Sequence, residues 1–280
     1  MGPDSKLFLH DHPISSYAQK VRIALRWKNI PFEHAIPPGM GSGNQEMKDF
    51  PASVHPRQEV PALIDGEAHI FDSTIILEYL EDKFPEPPLL PPRSDPAARA
   101  RARMIEDLCD THYEAVNWGY AEVTQYGRGV AEGVAEKLKT QAGVHTREVL
   151  AWLEAQIGAG PFFSGAAFGR ADVAVAPYLN RSIVYGFGPA GGSPLQQWHA
   201  RISELPCVRE TFAEYAAAAR TAKMMAAIAG SPFQRGSGAK REYRDHRVEW
   251  ILKSGGISII ESGLRDRNIR FSWPGPDPPE

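Results

Sequence analysis

The chain has 280 residues, 42% of them hydrophobic and 23% charged, with a formal net charge of −3 at pH 7. That length predicts about two domains on a prior of roughly 150 residues each, and the apolar share suffices for packed cores. A slightly negative chain has no overall basic field, which argues against nucleic acid as a partner.

Met1 to Lys6 carries neither an apolar signal-peptide core nor a small-residue cleavage site, and Lys6 stands where a myristoylation motif needs Ser or Thr. Purely apolar runs such as Met224 to Ala229 fall far short of the roughly 18 residues that cross a bilayer. No membrane attachment and a cytoplasmic location are expected. Residues 6–10 read as a short buried strand, His12-Pro13 turns the chain, and 16–28 has helical periodicity. On that helix Ala18, Val21, Ala24, Leu25 and Trp27 form the predicted apolar side, with Gln19, Lys20, Arg22 and Arg26 on the predicted wet side. Phe32 to Ile36 reads as a second strand, and a βαβ start predicts a parallel pair with a right-handed crossover.

A Pro/Gly/Ser-rich loop follows over 37–43, then a short helical stretch around Gln45–Phe50. Ala62-Leu63-Ile64, Asp65-Gly66 and Ala68–Phe71 carry a hairpin signal, because Asp-Gly supplies the positive φ of tight turns. Residues 73–84 read as a helix with Ile75, Ile76, Tyr79 and Leu80 toward the sheet and Glu78, Glu81 and Asp82 toward water. Six prolines between Pro85 and Pro96 forbid helix and predict a stiff connector. Beyond it, Ala97 to about Ala229 is rich in Ala, Leu, Arg and Glu at helical spacing, so an all-helical domain is predicted.

Within that region Gly169-Arg170-Ala171-Asp172 reads as a helix start. Gly169 is the N-cap, Asp172 reaches back to it, and Phe168 with Val173 forms the staple. Cys109 and Cys207 are far apart and the histidines scattered, so buried free thiols and no metal are expected. After the Gly/Ser-rich stretch 231–239, Lys240–Lys253 reads as a mixed-charge helix with a solvated face, Ile257–Leu264 as a short helix and Ile269–Trp273 as extended. The predicted division is 1–84, a Pro-rich linker 85–96, a helical domain 97–230, and an extension 231–280 of unassigned role.

The chemistry concentrates in three short pieces: Ser15-Ser16 before the first helix, Glu59-Val60-Pro61-Ala62-Leu63, and Asp72-Ser73. A Ser just before a helix caps it by accepting a backbone N–H. The same hydroxyl, with the positive helix end, can instead steady an anion. A thiol of pKa about 8.5 is only a few per cent ionised at pH 7. One charge-assisted hydrogen bond of roughly 1.5–3 kcal/mol would lower that pKa by about one to two units.

These pieces resemble the cytosolic glutathione transferases, over roughly residues 6–225. Ser-Ser-Tyr-Ala-Gln-Lys-Val-Arg-Ile-Ala-Leu (15–25) is similar to the active-site helix start of serine-type members, including the zeta and tau classes. The resemblance implies an α/β thioredoxin-like N-terminal domain plus an all-α helical-bundle C-terminal domain, in a likeness to homodimeric detoxification enzymes. It implies Ser15 as the residue beside the glutathione sulfur, with Ser16 as backup. It makes Val60-Pro61 a cis-proline corner that pairs with the cysteinyl backbone, and Asp72-Ser73 the pair for the γ-glutamyl end. Many members carry Glu or Gln where this chain has Asp72. Electrophile-side candidates come from the first long helix of the second domain: Glu106, Asp110, Tyr113, Asn117, Trp118 and Tyr120. The activity it implies is attack of glutathione, as co-substrate, on a small hydrophobic electrophile. Isomerisation of maleylacetoacetate type is the alternative, although Tyr17 stands where that motif has Cys; so is a non-catalytic glutathione-binding regulator.

Overall fold

The computed structural model describes residues 6–38, 40, 54–128, 133–158, 160–229, 248, 251 and 255–265. The expectations for Gln45–Phe50, for 231–239, for Ile269–Trp273 and for most of Lys240–Lys253 lie outside the described residues.

Strand β1 (Leu7–His10) runs through helix α1 (Ser16–Trp27) into β2 (Phe32–Ala35), and the two strands are parallel as a βαβ crossover requires. β3 (Ala62–Asp65) and β4 (Ala68–Phe71) form the predicted hairpin, turning at Gly66 with φ +59°. β3 pairs antiparallel with β1, so the sheet order is β2-β1-β3-β4. This is the thioredoxin-like arrangement, completed by α2 (Ser73–Lys83).

Alternation along the strands sets the core. Leu7 and Leu9 point inward with Leu63, and the sheet face is covered by Val21 and Leu25 of α1 and by Ile76, Leu77 and Leu80 of α2. Ile75, expected toward the sheet, is 56% exposed. The inward stripe of α2 is 76-77-80, which leaves position 75 one hundred degrees away from it.

The prolines of 85–96 carry the chain to the helical part. There α3 (Pro96–Leu108) continues through a π-helical turn, Cys109–Tyr113, into α4 (Glu114–Thr124). Then come α5 (Ala135–Ile157), α6 (Arg170–Val184), α7 (Pro194–Ser203), α8 (Pro206–Ala229) and a short α9 (Ile257–Arg265). The start of α6 matches its sequence signature. Gly169 caps it, and the Asp172 carboxylate accepts from Gly169 N at 2.9 Å, Phe163 N at 3.1 Å and Trp198 Nε1 at 2.7 Å. A Cβ on Gly169 would sit 2.9 Å from the Leu89 carbonyl oxygen and 3.0 Å from Ser164 Oγ, which explains glycine where a Ser or Thr cap is common. Cys109 and Cys207 are buried free thiols, and burial pushes both up in pKa.

α1 is covered from both sides. It shares the apolar cluster of the sheet and packs on α2, and on α6 and α8 of the helical part. Gln19, Lys20 and Arg22, expected on its wet side, are therefore at most 1% exposed. One apolar cluster runs from Leu9 and Val21 through Ile105 to Val173, Trp198 and Val208, without a break between the two parts.

Candidate thiol-binding site

Register alone brings the three sequence pieces together. His10, the last residue of β1, pairs with Ala62, the first of β3, and Ala62 pairs with Phe71, the last of β4. The loop to Ser15, the Val60-Pro61 corner and Asp72-Ser73 therefore all leave the same end of the sheet. The N-termini of α1 and α2 sit at that end too, and both present backbone N–H groups and positive dipole ends there.

Ser15 is the N-cap of α1, with extended φ −68° and ψ 119°, and its Oγ accepts from Ala18 N at 3.3 Å. Accepting uses the oxygen and leaves the O–H proton to be donated elsewhere. Ser15 is half-buried, whereas Ser16 is fully buried. The Val60–Pro61 peptide is cis. Beside it, His55 lies under Phe71 at a ring separation of 4.6 Å and Arg57 pairs with Glu59 at 3.0 Å.

Asp72 caps α2, its Oδ1 accepting from Thr74 N at 2.9 Å and Ile75 N at 3.3 Å. Its φ is +71°, a left-handed value that costs a residue with a Cβ on the order of 1 kcal/mol or more. Ser73 is buried at the first position of that helix.

Behind the three pieces stands a buried polar cluster that ties the two parts together. Lys20 Nζ bonds Glu106 at 2.9 Å and both oxygens of Asp110 at 2.8 and 2.6 Å. Thr74 Oγ1 donates to the same carboxylates, at 3.0 and 3.2 Å. Tyr178 OH donates to Asp110 at 2.7 Å, and Tyr17 OH to the Asp110 carbonyl at 2.7 Å. Arg170 joins Glu106 to Glu78. Burial works against every charge here. Lys20 and Arg170 nevertheless overcome it for Glu106 and hold that carboxyl below the ordinary range. For Asp110 burial prevails and, with Glu106 adjacent, raises it.

The electrophile-side candidates divide. Asp110 belongs to this cluster rather than to an open wall. Tyr113 is fully buried; Asn117, 1% exposed, donates to the Tyr178 carbonyl at 3.0 Å and accepts from Ser182 Oγ at 2.8 Å. Both lie in the helical interior, where α6 packs against α4 and the π turn. Glu106 and Tyr120 are buried as well, and Trp118 is half-buried. Lys20, Tyr17, Glu114 and Arg181 were not legible as site neighbours. One signal existed: Glu106, Asp110 and Glu114 recur every four residues, and the wider π turn offsets the drift such a spacing has in a regular helix.

A thioredoxin-like sheet joined to an all-helical part, with two helix starts and a cis-proline corner at one sheet end, defines a thiol-peptide-binding architecture. The family model "Glutathione S-transferase, N-terminal domain" matches residues 9–88, and "Glutathione S-transferase, C-terminal domain" matches 130–201. Glutathione S-transferase Z2 of Arabidopsis thaliana is 31% identical over 189 residues, covering 63% of this chain and 76% of the relative. The stringent starvation protein A homolog of Coxiella burnetii is 28% identical over 178 residues, 63% of this chain and 76% of that protein. The holo structure of a zeta-class bacterial maleyl pyruvate isomerase is 25% identical, with a TM-score of 0.59 over 74% of this chain and 95% of that one. The chain belongs to the glutathione S-transferase family, which uses glutathione as co-substrate.

Proposed function

We propose that the chain activates glutathione by steadying its thiolate with the Ser15 hydroxyl, for attack on a small hydrophobic electrophile. The observation that carries this reading is the position of the half-buried Ser15 hydroxyl at the α1 start, on the sheet end shared by Val60-Pro61 and Asp72-Ser73. The thiol proton leaves to water, Ser15 donates its O–H to the sulfur, and the positive end of α1 adds to the same preference. The sulfur electron pair then forms the S–C bond as the leaving group departs with its own pair, in conjugation, ether cleavage or dehalogenation. Intrinsic nucleophilicity falls with pKa, but the thiolate fraction rises faster while the pKa stays near ambient pH.

Val60 offers its main chain to the cysteinyl unit, and Pro61 fixes the corner. The γ-glutamyl carboxylate takes Ser73 and the α2 start. Its ammonium takes Asp72 Oδ2, since Oδ1 is engaged by two helix N–H groups. Ser16, fully buried, is assigned a supporting rather than a reacting part. Of the pocket candidates Trp118 is assigned to the electrophile, being less enclosed than Tyr113 and Asn117. We divide the chain at the Pro-rich 85–96 segment into a glutathione-binding domain and a helical domain ending near residue 230, and assign it a homodimer, as is typical of the family.

The likeness to zeta-class proteins, one of them a maleyl pyruvate isomerase, favours glutathione-dependent cis-trans isomerisation as the second reading. The stringent starvation protein A homolog is the likeness behind a third, a glutathione-binding regulator without turnover. Thiolate absorbance of bound glutathione against pH decides the Ser15 role. Wild type is expected to titrate below free glutathione, and Ser15→Ala to raise the apparent pKa by about one to two units. Identical titrations would reduce Ser15 to a helix cap. A screen of aryl halides, vinyl ethers and maleyl compounds separates transfer from isomerisation. Bound glutathione without turnover on any of them would favour the regulator.

A further inference from the structure

Ser15 reaches the end of the sheet on a loop, residues 11–15, most of whose polar backbone groups have partners. Ile14 N donates to His12 Nδ1 at 3.2 Å, and Ser15 N to the His12 carbonyl at 2.9 Å. The Pro13 carbonyl accepts from Arg22 Nη2 at 3.3 Å, and the Ile14 carbonyl from Arg181 Nη2. The Ile14–Ser15 peptide is therefore held at both polar ends, its N–H by the loop itself and its C=O by α6 of the helical part. That peptide unit sets where the Ser15 Cα and hence its Oγ stand.

Arg181 is itself held. Its Nη1 meets Glu114 at 3.2 and 3.3 Å, its guanidinium lies 5.9 Å from the Tyr215 ring, and its side chain is 4% exposed. The planar fork lets one nitrogen anchor on a carboxylate while the other reaches a carbonyl at fixed separation. Glu114 is itself buried, so the ion pair is shielded from water. The chain thus runs from α4 through Glu114 and Arg181 to the peptide in front of Ser15.

We propose that Arg181 is a positioning residue for the thiol site: acting through the Ile14 carbonyl, it aims the Ser15 hydroxyl at the sulfur. Placement of α6 in the helical part is then coupled to thiol acidity in the thioredoxin-like part. This rests on the Ser15 reading above. A mere tie between the two parts would lower stability on removal of Arg181 and leave the thiol titration unchanged.

The test uses the full chain with glutathione and reads thiolate absorbance against pH, with affinity for glutathione measured in parallel. Arg181→Met paired with Glu114→Gln avoids leaving a buried carboxylate alone. The double variant is expected to raise the apparent thiol pKa by about half a unit to one unit, a roughly three- to tenfold loss of thiolate at a fixed pH below it. Glutathione affinity, set by Val60 and the Asp72-Ser73 end, is expected to change less than about threefold. Arg181→Lys keeps the charge but loses the fork, and is expected to move the titration part of the way; it decides alone if the double variant does not fold. Wild-type titration in whichever variant folds overturns the proposal. If Ser15→Ala also titrates like wild type, the Ser15 reading has failed; if Ser15→Ala shifts and the Arg181 variants do not, only the positioning role has.

Discussion

At the residue scale, two adjacent hydroxyls at the start of α1 face different surroundings. Ser15 caps the helix from a half-buried position, and Ser16 is sealed in the interior. Ser16→Ala is therefore expected to leave the thiol titration of bound glutathione where wild type has it, while melting shifts through loss of a fully buried hydroxyl. A Ser16→Ala titration matching that of Ser15→Ala would reverse the assignment. Ser15→Ala itself removes a cap and is expected to cost about 0.5–2 kcal/mol of stability, checked by urea unfolding. The resemblance places Ser15 beside the sulfur with Ser16 as backup, but a sequence carries no direct sign of which of the two is buried. The helix period puts neighbours one hundred degrees apart, and which of them faces protein depends on what lies across the helix.

At the element scale, α6 depends on Asp172. Its carboxylate gathers two backbone N–H groups and the Trp198 indole in a site sealed from water. Asp172→Ala would strand three buried donors, each costing about 1–3 kcal/mol, so a loss of at least about 3 kcal/mol in urea unfolding is expected. Burial pushes the Asp172 carboxyl up to about 6, against an unfolded value of about 3.9. Between those two values the folded chain holds more protons at this site than the unfolded one. The stability this group contributes therefore falls as pH rises from about 4 to about 6 and is level above that. Asp172→Asn, which does not titrate, is expected to flatten that part of the stability curve, read as unfolding midpoint against pH. This start signal was fully legible, because a capping box is a local pattern of four residues. The reason for glycine at 169 was not, since it is the Leu89 carbonyl of the connector that approaches it.

At the scale of the molecule, the thioredoxin-like and helical parts are joined through charge as well as apolar contact. Lys20, with a fully buried side chain, stands between Glu106 and Asp110, and Arg170 between Glu106 and Glu78. Breaking such a set by removing one member costs about 3–5 kcal/mol, since the partners keep their buried charge. Lys20→Met is expected to lower the melting midpoint by about 10 °C. The sign with pH follows from the partners. Glu106 is held below the ordinary carboxylate range, so its stabilising share is present above about pH 4.3 and lost as pH falls through its folded value. In Lys20→Met the abandoned carboxyls rise and take up protons sooner, so its deficit is expected to be largest near pH 7 and to narrow toward about pH 5. Melting curves of both proteins across that range check this. A deficit independent of pH would mean that Lys20 acts through packing alone.

The sequence by itself determined the element order through α2, the parallel β1–β2 pair, the Asp-Gly hairpin and the α6 cap, and it singled out the three pieces on which the proposed thiol site rests. Each is set by local periodicity, turn chemistry or a fixed spacing along the chain, and such signals need no partner. Only the tertiary structure decided which side of each helix meets protein. Gln19, Lys20 and Arg22 look like a solvated stripe and are interior, because α6 and α8 cover them and because Lys20 and Arg22 find carboxylates there. Tyr113 and Asn117 carry no sign of burial in the sequence and are enclosed because α6 packs against them. Period fixes which residues share a face; burial is a property of two surfaces in contact, and the second surface comes from far along the chain, 61 positions from Asn117 to Tyr178 and 192 from Arg22 to Glu214.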